Sequence, residues 1–434
     1  MKKRKMPVSP AAASVLALLC ALLLCGFGAS ESGKDAGADP EYDVITASDL
    51  HYISPEICDF GAYFSRLMED SDSKLTRYCE ELTEAFLEEV IEARPEALLL
   101  TGDLSFNGAR ESHEALADKL RRVEAAGVPV MVLPGNHDVY NRSAARFSGD
   151  GFVRLPICTS RDFRRIYAEF GFDEALSEDP DSLSYLCPIN DTTWALMLDF
   201  DTEHDFCGVS EQTLRWTEEQ LRAARREGKH VLAAGHQNLF VHSAFTYGYV
   251  IDNAERLSAL LREYDVPLFL SGHLHIQHWK TEEGLTEIAS SALSVTPCQY
   301  GVLRAKDGNI RYETRRVDVS GWAERQGLAD PVLAAFLEYA DAVMDAHTAR
   351  ETEGELKALG FSAGQRKTMI DYACRLNRAY FSGDLRDAAS WDADGSAAAL
   401  WAASGTLRDY YMRTVTPDFG HDYRIWEWKN DKAE

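Results

Sequence analysis

Five short polar motifs punctuate this 434-residue chain: Asp49-Leu50-His51, Gly102-Asp103, Gly135-Asn136-His137-Asp138, Gly235-His236 and Gly272-His273-Leu274-His275. Their side chains are carboxylates, an amide oxygen and imidazoles, with no thiolate among them. That is the donor set of a hard or borderline divalent metal. In Asp49-Leu50-His51 and in His273-Leu274-His275 the alternate spacing points both side chains the same way if the backbone is extended. Glycine before Asp103, Asn136, His236 and His273 lets the backbone turn sharply and come close to a site. Singly, an Asp-x-His reads as a solvated loop or a helix cap, Gly-Asp as a turn, and Gly-His as a satisfied core histidine. Together and in this order, they read as one metal-binding constellation.

The elements that would gather these groups are legible as alternating periodicities. Apolar runs at Val44–Ala47, Ala97–Leu100, Val128–Leu133, Trp194–Phe200, His230–Ala234 and Pro267–Leu270 read as strands. Between the first two, Leu75, Tyr78, Leu82, Phe86 and Val90 mark one face of a helix that Pro95 ends. Further helices are expected over 111–126, 211–226 and 254–264, the first two closed by Gly127 and Gly228. Runs at 285–289, 302–305 and 310–313, with Asp307-Gly308 as a turn, predict a closing antiparallel part of the sheet. The pattern is that of an α/β fold. Each polar motif follows a strand, and loops leaving the carboxyl ends of strands in such sheets converge on one edge.

On these five motifs the chain resembles the calcineurin-like metallophosphoesterase superfamily, over about 42–319. The resemblance implies a four-layer sandwich, two mixed β-sheets flanked by helices, with a dinuclear centre between the sheets. It also implies that Asp49, His51 and His275 hold one ion, that Asn136, His236 and His273 hold the other, and that Asp103 bridges them. His137 would assist the leaving oxygen, and Asp138 would orient His137. Two Mn, Fe or Zn ions opposed by two carboxylates and a shared hydroxide leave about one positive charge to meet a phosphate. Such a pair lowers the pKa of the shared water, and the resulting hydroxide attacks phosphorus. The expected activity is hydrolysis of a small-molecule phosphoric ester, with nucleotide or cyclic-nucleotide-like diesters favoured. A phosphomonoesterase is the alternative, and a non-catalytic envelope binding protein is the reading from another class. No Gly-x-Ser-x-Gly elbow, P-loop or dinucleotide fingerprint competes.

The rest of the chain bounds compartment and partners. Residues 1–30 carry a basic start (Lys2, Lys3, Arg4, Lys5), an apolar run from Ala11 to Leu24 and small residues after it, which is an export signal. The run is shorter than the ~20 residues of a spanning helix. Leu22-Leu23-Leu24-Cys25-Gly26 resembles a lipoprotein box, although Leu24 is bulky for one, so cleavage with or without a lipid anchor is expected. Residues 31–41 read as a flexible linker. With 45 Lys+Arg against 70 Asp+Glu, the net charge of −25 argues against a nucleic-acid polymer as partner. Nothing points to a protein partner. Cys58, Cys79, Cys158, Cys187, Cys207, Cys298 and Cys374 are irregularly spaced and read as small hydrophobes, with one or two disulfides allowed by export. An Arg- and aromatic-rich insertion over 141–188 suggests a phosphate-binding lid or a solvated helical excursion. His242 and His204 are candidates to face the cleft; His113, His230, His278, His347 and His421 match no motif. Residues 320–434 read as a helical region without strands, whose Trp391, Trp401, Tyr410, Tyr411, Trp426 and Trp428 pack on the main domain.

Overall fold

A computed structural model describes residues 42–69, 73–202, 207–244, 249–306 and 308–429. The expected leader and linker, His204 and Asp307 lie outside them. No described helix is long and apolar enough to cross a membrane.

The strands are β1 (Tyr42–Ala47), β2 (Ala97–Thr101), β3 (Val130–Leu133), β4 (Ala145–Ser148), β5 (Gly151–Arg154), β6 (Ser177–Glu178), β7 (Tyr185–Pro188), β8 (Thr193–Met197), β9 (His230–Ala234), β10 (Leu268–Ser271), β11 (His278–Glu282), β12 (Leu285–Ala289), β13 (Gln299–Lys306), β14 (Asn309–Arg316) and β15 (Ile425–Trp428). They form a six-stranded sheet ordered β15-β14-β13-β1-β2-β3, a seven-stranded sheet ordered β11-β12-β10-β9-β8-β7-β6, and the hairpin β4-β5. β1, β2 and β3 run parallel, with Ala47 opposite Leu100 and Thr101 opposite Leu133. β8, β9 and β10 run parallel as well, with Ala234 opposite both Met197 and Leu270. Inward residues of both sheets, among them Val44, Leu98, Val132, Met197, Ala234 and Leu270, belong to one buried core. The outer face of the second sheet packs, through Trp194, Leu196 and Phe269, on Leu214, Leu221, Leu257 and Leu261.

The helices follow from apolar periodicity and end signals. They are α1 (Ala62–Glu69), α2 (Cys79–Ala93), α3 (Arg110–Ala125), α4 (Ser160–Ile166), α5 (Glu211–Glu227) and α6 (Ala254–Glu263). In α2, Leu82, Phe86 and Val90 are buried, Glu80 and Glu81 meet the positive end of the helix dipole, and Arg94 stops the helix in a left-handed conformation just before Pro95. Ser210 caps α5, its hydroxyl accepting from the Thr213 N–H at 3.0 Å, and Gly228 closes the other end.

The later part is α7 (Val319–Arg325), α8 (Pro331–Ala334), α9 (Phe336–Ala358), α10 (Ala363–Ser382), α11 (Ser396–Ser404) and α12 (Leu407–Val415). Their core gathers Leu356, Met369, Leu376, Trp401 and Met412 against Ile276 of the loop that follows β10. The expectation of no strand beyond 319 is corrected by β15, which pairs antiparallel with β14 from Ile310–Trp428 to Glu313–Ile425. Trp426 is buried there, so these aromatics serve a sheet edge as well as helix packing.

The insertion over 141–188 is not a solvated helical excursion. It is a β-hairpin, a short α-helix followed by a π-helical turn over Ala168–Phe172, and an edge strand pair, and Phe163 and Tyr167 are buried. Arg164 pairs with Glu178 and Asp173, so that guanidinium is committed to carboxylates. The cysteines after the leader are all unpaired, and six of them are buried.

Candidate metal centre

Asp49 and His51 leave β1, Asp103 leaves β2, Asn136 and His137 leave β3, His236 leaves β9, and His273 and His275 leave β10. The donor atoms of Asp49, His51, Asp103 and His275 lie within 4.8 Å of one another, and so do those of Asp103, His236 and His273. Asp103 belongs to both groups. His275 Nε2 is 3.2 Å from Asp49 Oδ1 and 3.3 Å from His51 Nε2, while His236 Nε2 is 3.3 Å from Asp103 Oδ1. Asn136 precedes His137, whose N–H donates to Asp103 Oδ1 at 2.8 Å, and Asn136 itself is exposed.

The convergence has a local cause different from the extended backbone expected. Asp49, His51, Asp103, His273 and His275 all have positive φ, between 45° and 66°. Each is turned inward by a left-handed residue, a conformation that costs non-glycine residues of order 1 kcal/mol and more, and that neighbours must hold in place. The holding bonds are the Asp49 N–H to the Gly102 carbonyl at 3.0 Å and the His51 N–H to the Asp103 carbonyl at 3.0 Å. Glycine is required for closeness at Gly102 and Gly272. A Cβ at Gly102, whose φ is +92°, would fall 2.5 Å from the His236 ring, and one at Gly272 would fall 1.8 Å from Ser48 Oγ.

The ring orientations are fixed from behind. His236 Nδ1 donates to the Thr101 carbonyl at 2.8 Å, which leaves Nε2 facing Asp103. His137 Nδ1 donates to the Phe106 carbonyl at 2.8 Å, which leaves Nε2 3.9 Å from Asp103 Oδ2 on a ring that is 31% exposed. The orienter of His137 is therefore a backbone carbonyl and not Asp138. The buried Asp138 carboxylate accepts from the Gly135, Leu104 and Ser105 N–H groups at 2.9, 2.9 and 2.7 Å, and so ties the β2 and β3 loops together.

Burial alone would raise Asp103, but the imidazoles of His236, His137 and His51 hold its carboxyl well below the usual range. Burial opposes a charge on His236, yet Asp103 overrides it and pushes the imidazole up to about 10. His273 is pushed down to about 4 by burial and then by His236. The pocket thus holds positive charge among its carboxylates, a place a cation takes by displacing protons. Asp49 Oδ1 and His236 Nε2 are buried without a hydrogen bond. Buried donor and acceptor atoms are rarely left unpaired, and these two fit metal coordination.

His242 does not face this cluster. It is buried, 2.9 Å from His278 Nδ1 and 3.3 Å from Glu287, so both histidines belong to an internal polar network. Sequence reasoning missed Glu287, whose buried carboxylate accepts from Phe240 N–H at 2.7 Å and Ser271 Oγ at 2.7 Å and so fastens the loop beyond His236. It also missed Tyr249, whose half-exposed ring meets His273 edge-on at 5.3 Å. Nothing in either residue's local pattern marks it.

Residues 318–422 match the C-terminal domain of cyclic nucleotide phosphodiesterase. A cAMP/cGMP dual specificity phosphodiesterase of Mycobacterium tuberculosis is 26% identical over 274 residues, 62% of this chain and 74% of that protein. A 3',5'-cyclic-nucleotide phosphodiesterase of Nostoc is 28% identical over 200 residues, 44% of this chain and 62% of that protein. A dimetal phosphatase from Danio rerio is 15% identical, with a TM-score of 0.47 over 64% of this chain and 97% of that one. Because residues 43–277, more than half of the chain, match the calcineurin-like phosphoesterase model, this protein belongs to that family of metal-dependent phosphoric-ester hydrolases.

Proposed function

We propose that the protein is a dimetal phosphodiesterase acting on small diesters of the 3',5'-cyclic nucleotide kind. The observation that carries the reading is that one carboxylate, Asp103, serves two adjoining donor groups beside an accessible imidazole. The diester preference is supported by the two cyclic-nucleotide relatives and by the match of residues 318–422. Asp49, His51 and His275 would hold one ion and Asn136, His236 and His273 the other, with Asp103, which belongs to both donor groups, shared between them. Such ions would supply Lewis acidity toward phosphoryl oxygens and would activate water. The chain's own part is to hold this geometry rigidly and to meet the leaving oxygen. With Nδ1–H tied to the Phe106 carbonyl, His137 turns Nε2 toward the site, where it meets the leaving oxygen. Export, supported by the leader sequence, places this reaction outside the cytoplasm, which fractionation checks.

The test is turnover of 3',5'-cAMP against p-nitrophenyl phosphate by protein loaded with Mn, Zn or Fe, with bound metal counted in parallel. Hydrolysis of the cyclic diester with about two ions per chain is expected. Hydrolysis of the monoester alone would overturn the diester assignment.

A further inference from the structure

The donor groups address a phosphate and not the flat group attached to it. Recognition beyond the phosphate therefore falls to exposed side chains that border the donors. Asp103 separates two ends of the site. Its Oδ2 faces His51 at 3.7 Å and His137 at 3.9 Å, while its Oδ1 faces His236 at 3.3 Å. His137, assigned above to the leaving oxygen, thus stands at one end. At the other, the rings of His236 and His273 lie 5.2 Å apart, and the Tyr249 ring meets His273 at 5.3 Å.

Tyr249 is 48% exposed, so ring surface not spent on His273 is open to solvent. An exposed tyrosine is ordinary by itself. The segment that carries this one is firmly tied. Val250, the next residue, bridges to Asn238, and the Ile251 N–H donates to the Asn238 carbonyl at 3.0 Å. The buried Asn238 amide in turn donates to Ser271 Oγ at 2.9 Å and to Glu287 at 3.1 Å. Asn238 lies two residues past His236 and Ser271 two before His273, so these bonds join the stem of Tyr249 to both histidine loops. A ring already held beside the phosphate position loses little further freedom when a second ring packs on it.

Resting on the nucleotide reading above, we propose that Tyr249 is the stacking platform for the base of the substrate, at the end of the site opposite His137. Stacking uses the π face that every base has, so the platform favours a base over none without separating adenine from guanine. The ring of Tyr249, and not its hydroxyl, recognises the ligand.

5'-AMP and ribose 5-phosphate share a phosphate and differ in the base, so the ratio of their affinities reads the platform without turnover. Calorimetry on the metal-loaded protein should give a ratio of about ten or more, falling about fivefold in Tyr249→Ala and Tyr249→Leu and kept in Tyr249→Phe. Leucine retains an apolar contact with His273, which separates stacking from bracing. In steady-state kinetics, kcat/KM for 3',5'-cAMP and 3',5'-cGMP should fall together in Tyr249→Leu, within about twofold of each other and mostly through KM. A ratio near one in the wild type, a ratio unmoved by alanine and leucine, or an equal fall in Tyr249→Phe would overturn the platform. Loss of bound metal in Tyr249→Leu would overturn it too, by making the ring a brace for His273. An affinity ratio that moves as expected, with no cyclic nucleotide hydrolysed, would instead overturn the reaction proposed above and leave the platform standing.

Discussion

A His137→Ala substitution removes a ring held by the Phe106 carbonyl at 2.8 Å, with Nε2 3.9 Å from Asp103 and outside both donor groups. The expected result is a loss of about 10²–10⁴-fold in kcat with the metal content unchanged, measured by steady-state kinetics and elemental analysis of the same preparation. Asp103→Ala should behave in the opposite way and deplete both ions, because one carboxylate serves both groups. At this scale the five motifs were readable because their side chains are chemically distinctive and recur after strands. The carbonyls of Thr101 and Phe106 were not readable, since every residue carries one and only the fold selects which faces an imidazole. The same limit explains Asp138: its place next to His137 suggested a partnership, while its carboxylate points back to the N–H groups of Gly135, Leu104 and Ser105.

The loop that follows β9 shows what positions an element. Glu287 lies in mid β12 with no solvent exposure, and its carboxylate receives the N–H groups of Leu239 and Phe240 and the Ser271 hydroxyl, with His242 at 3.3 Å. Glu287→Ala strands several buried donors at once, so a loss of about 3 kcal/mol or more is expected, read as a lowered urea midpoint. Strands β1, β2, β9 and β10 were recognisable as compact apolar runs because both of their faces are covered. The four residues of β15 were not, because a run that short after a long helical stretch carries no periodicity of its own. Its strand character comes from the free edge of β14, a contact more than a hundred residues away in sequence.

For the molecule as a whole, burial makes stability depend on pH in a direction that can be stated. Asp199 is buried, and its carboxyl is pushed up to about 6, above the ~3.9 of an unfolded chain. The folded state therefore prefers the protonated form. That contribution is complete below about pH 4 and is lost as the pH rises through 6, on the order of 3 kcal/mol. Asp199→Asn fixes a neutral group, so the stability of the wild type relative to the variant should decline by that order between pH 4 and pH 7, measured by denaturant unfolding.

The six-stranded sheet takes β1, β2 and β3 from before residue 134 and β13, β14 and β15 from after residue 298, with the whole second sheet strung between them. A protease that nicks the exposed turn around Leu328 would thus yield two polypeptides that still share a hydrogen-bonded ladder and an interior. They should co-elute as one particle on a sizing column and part only in denaturant, so an intact profile there says nothing about whether the backbone is whole.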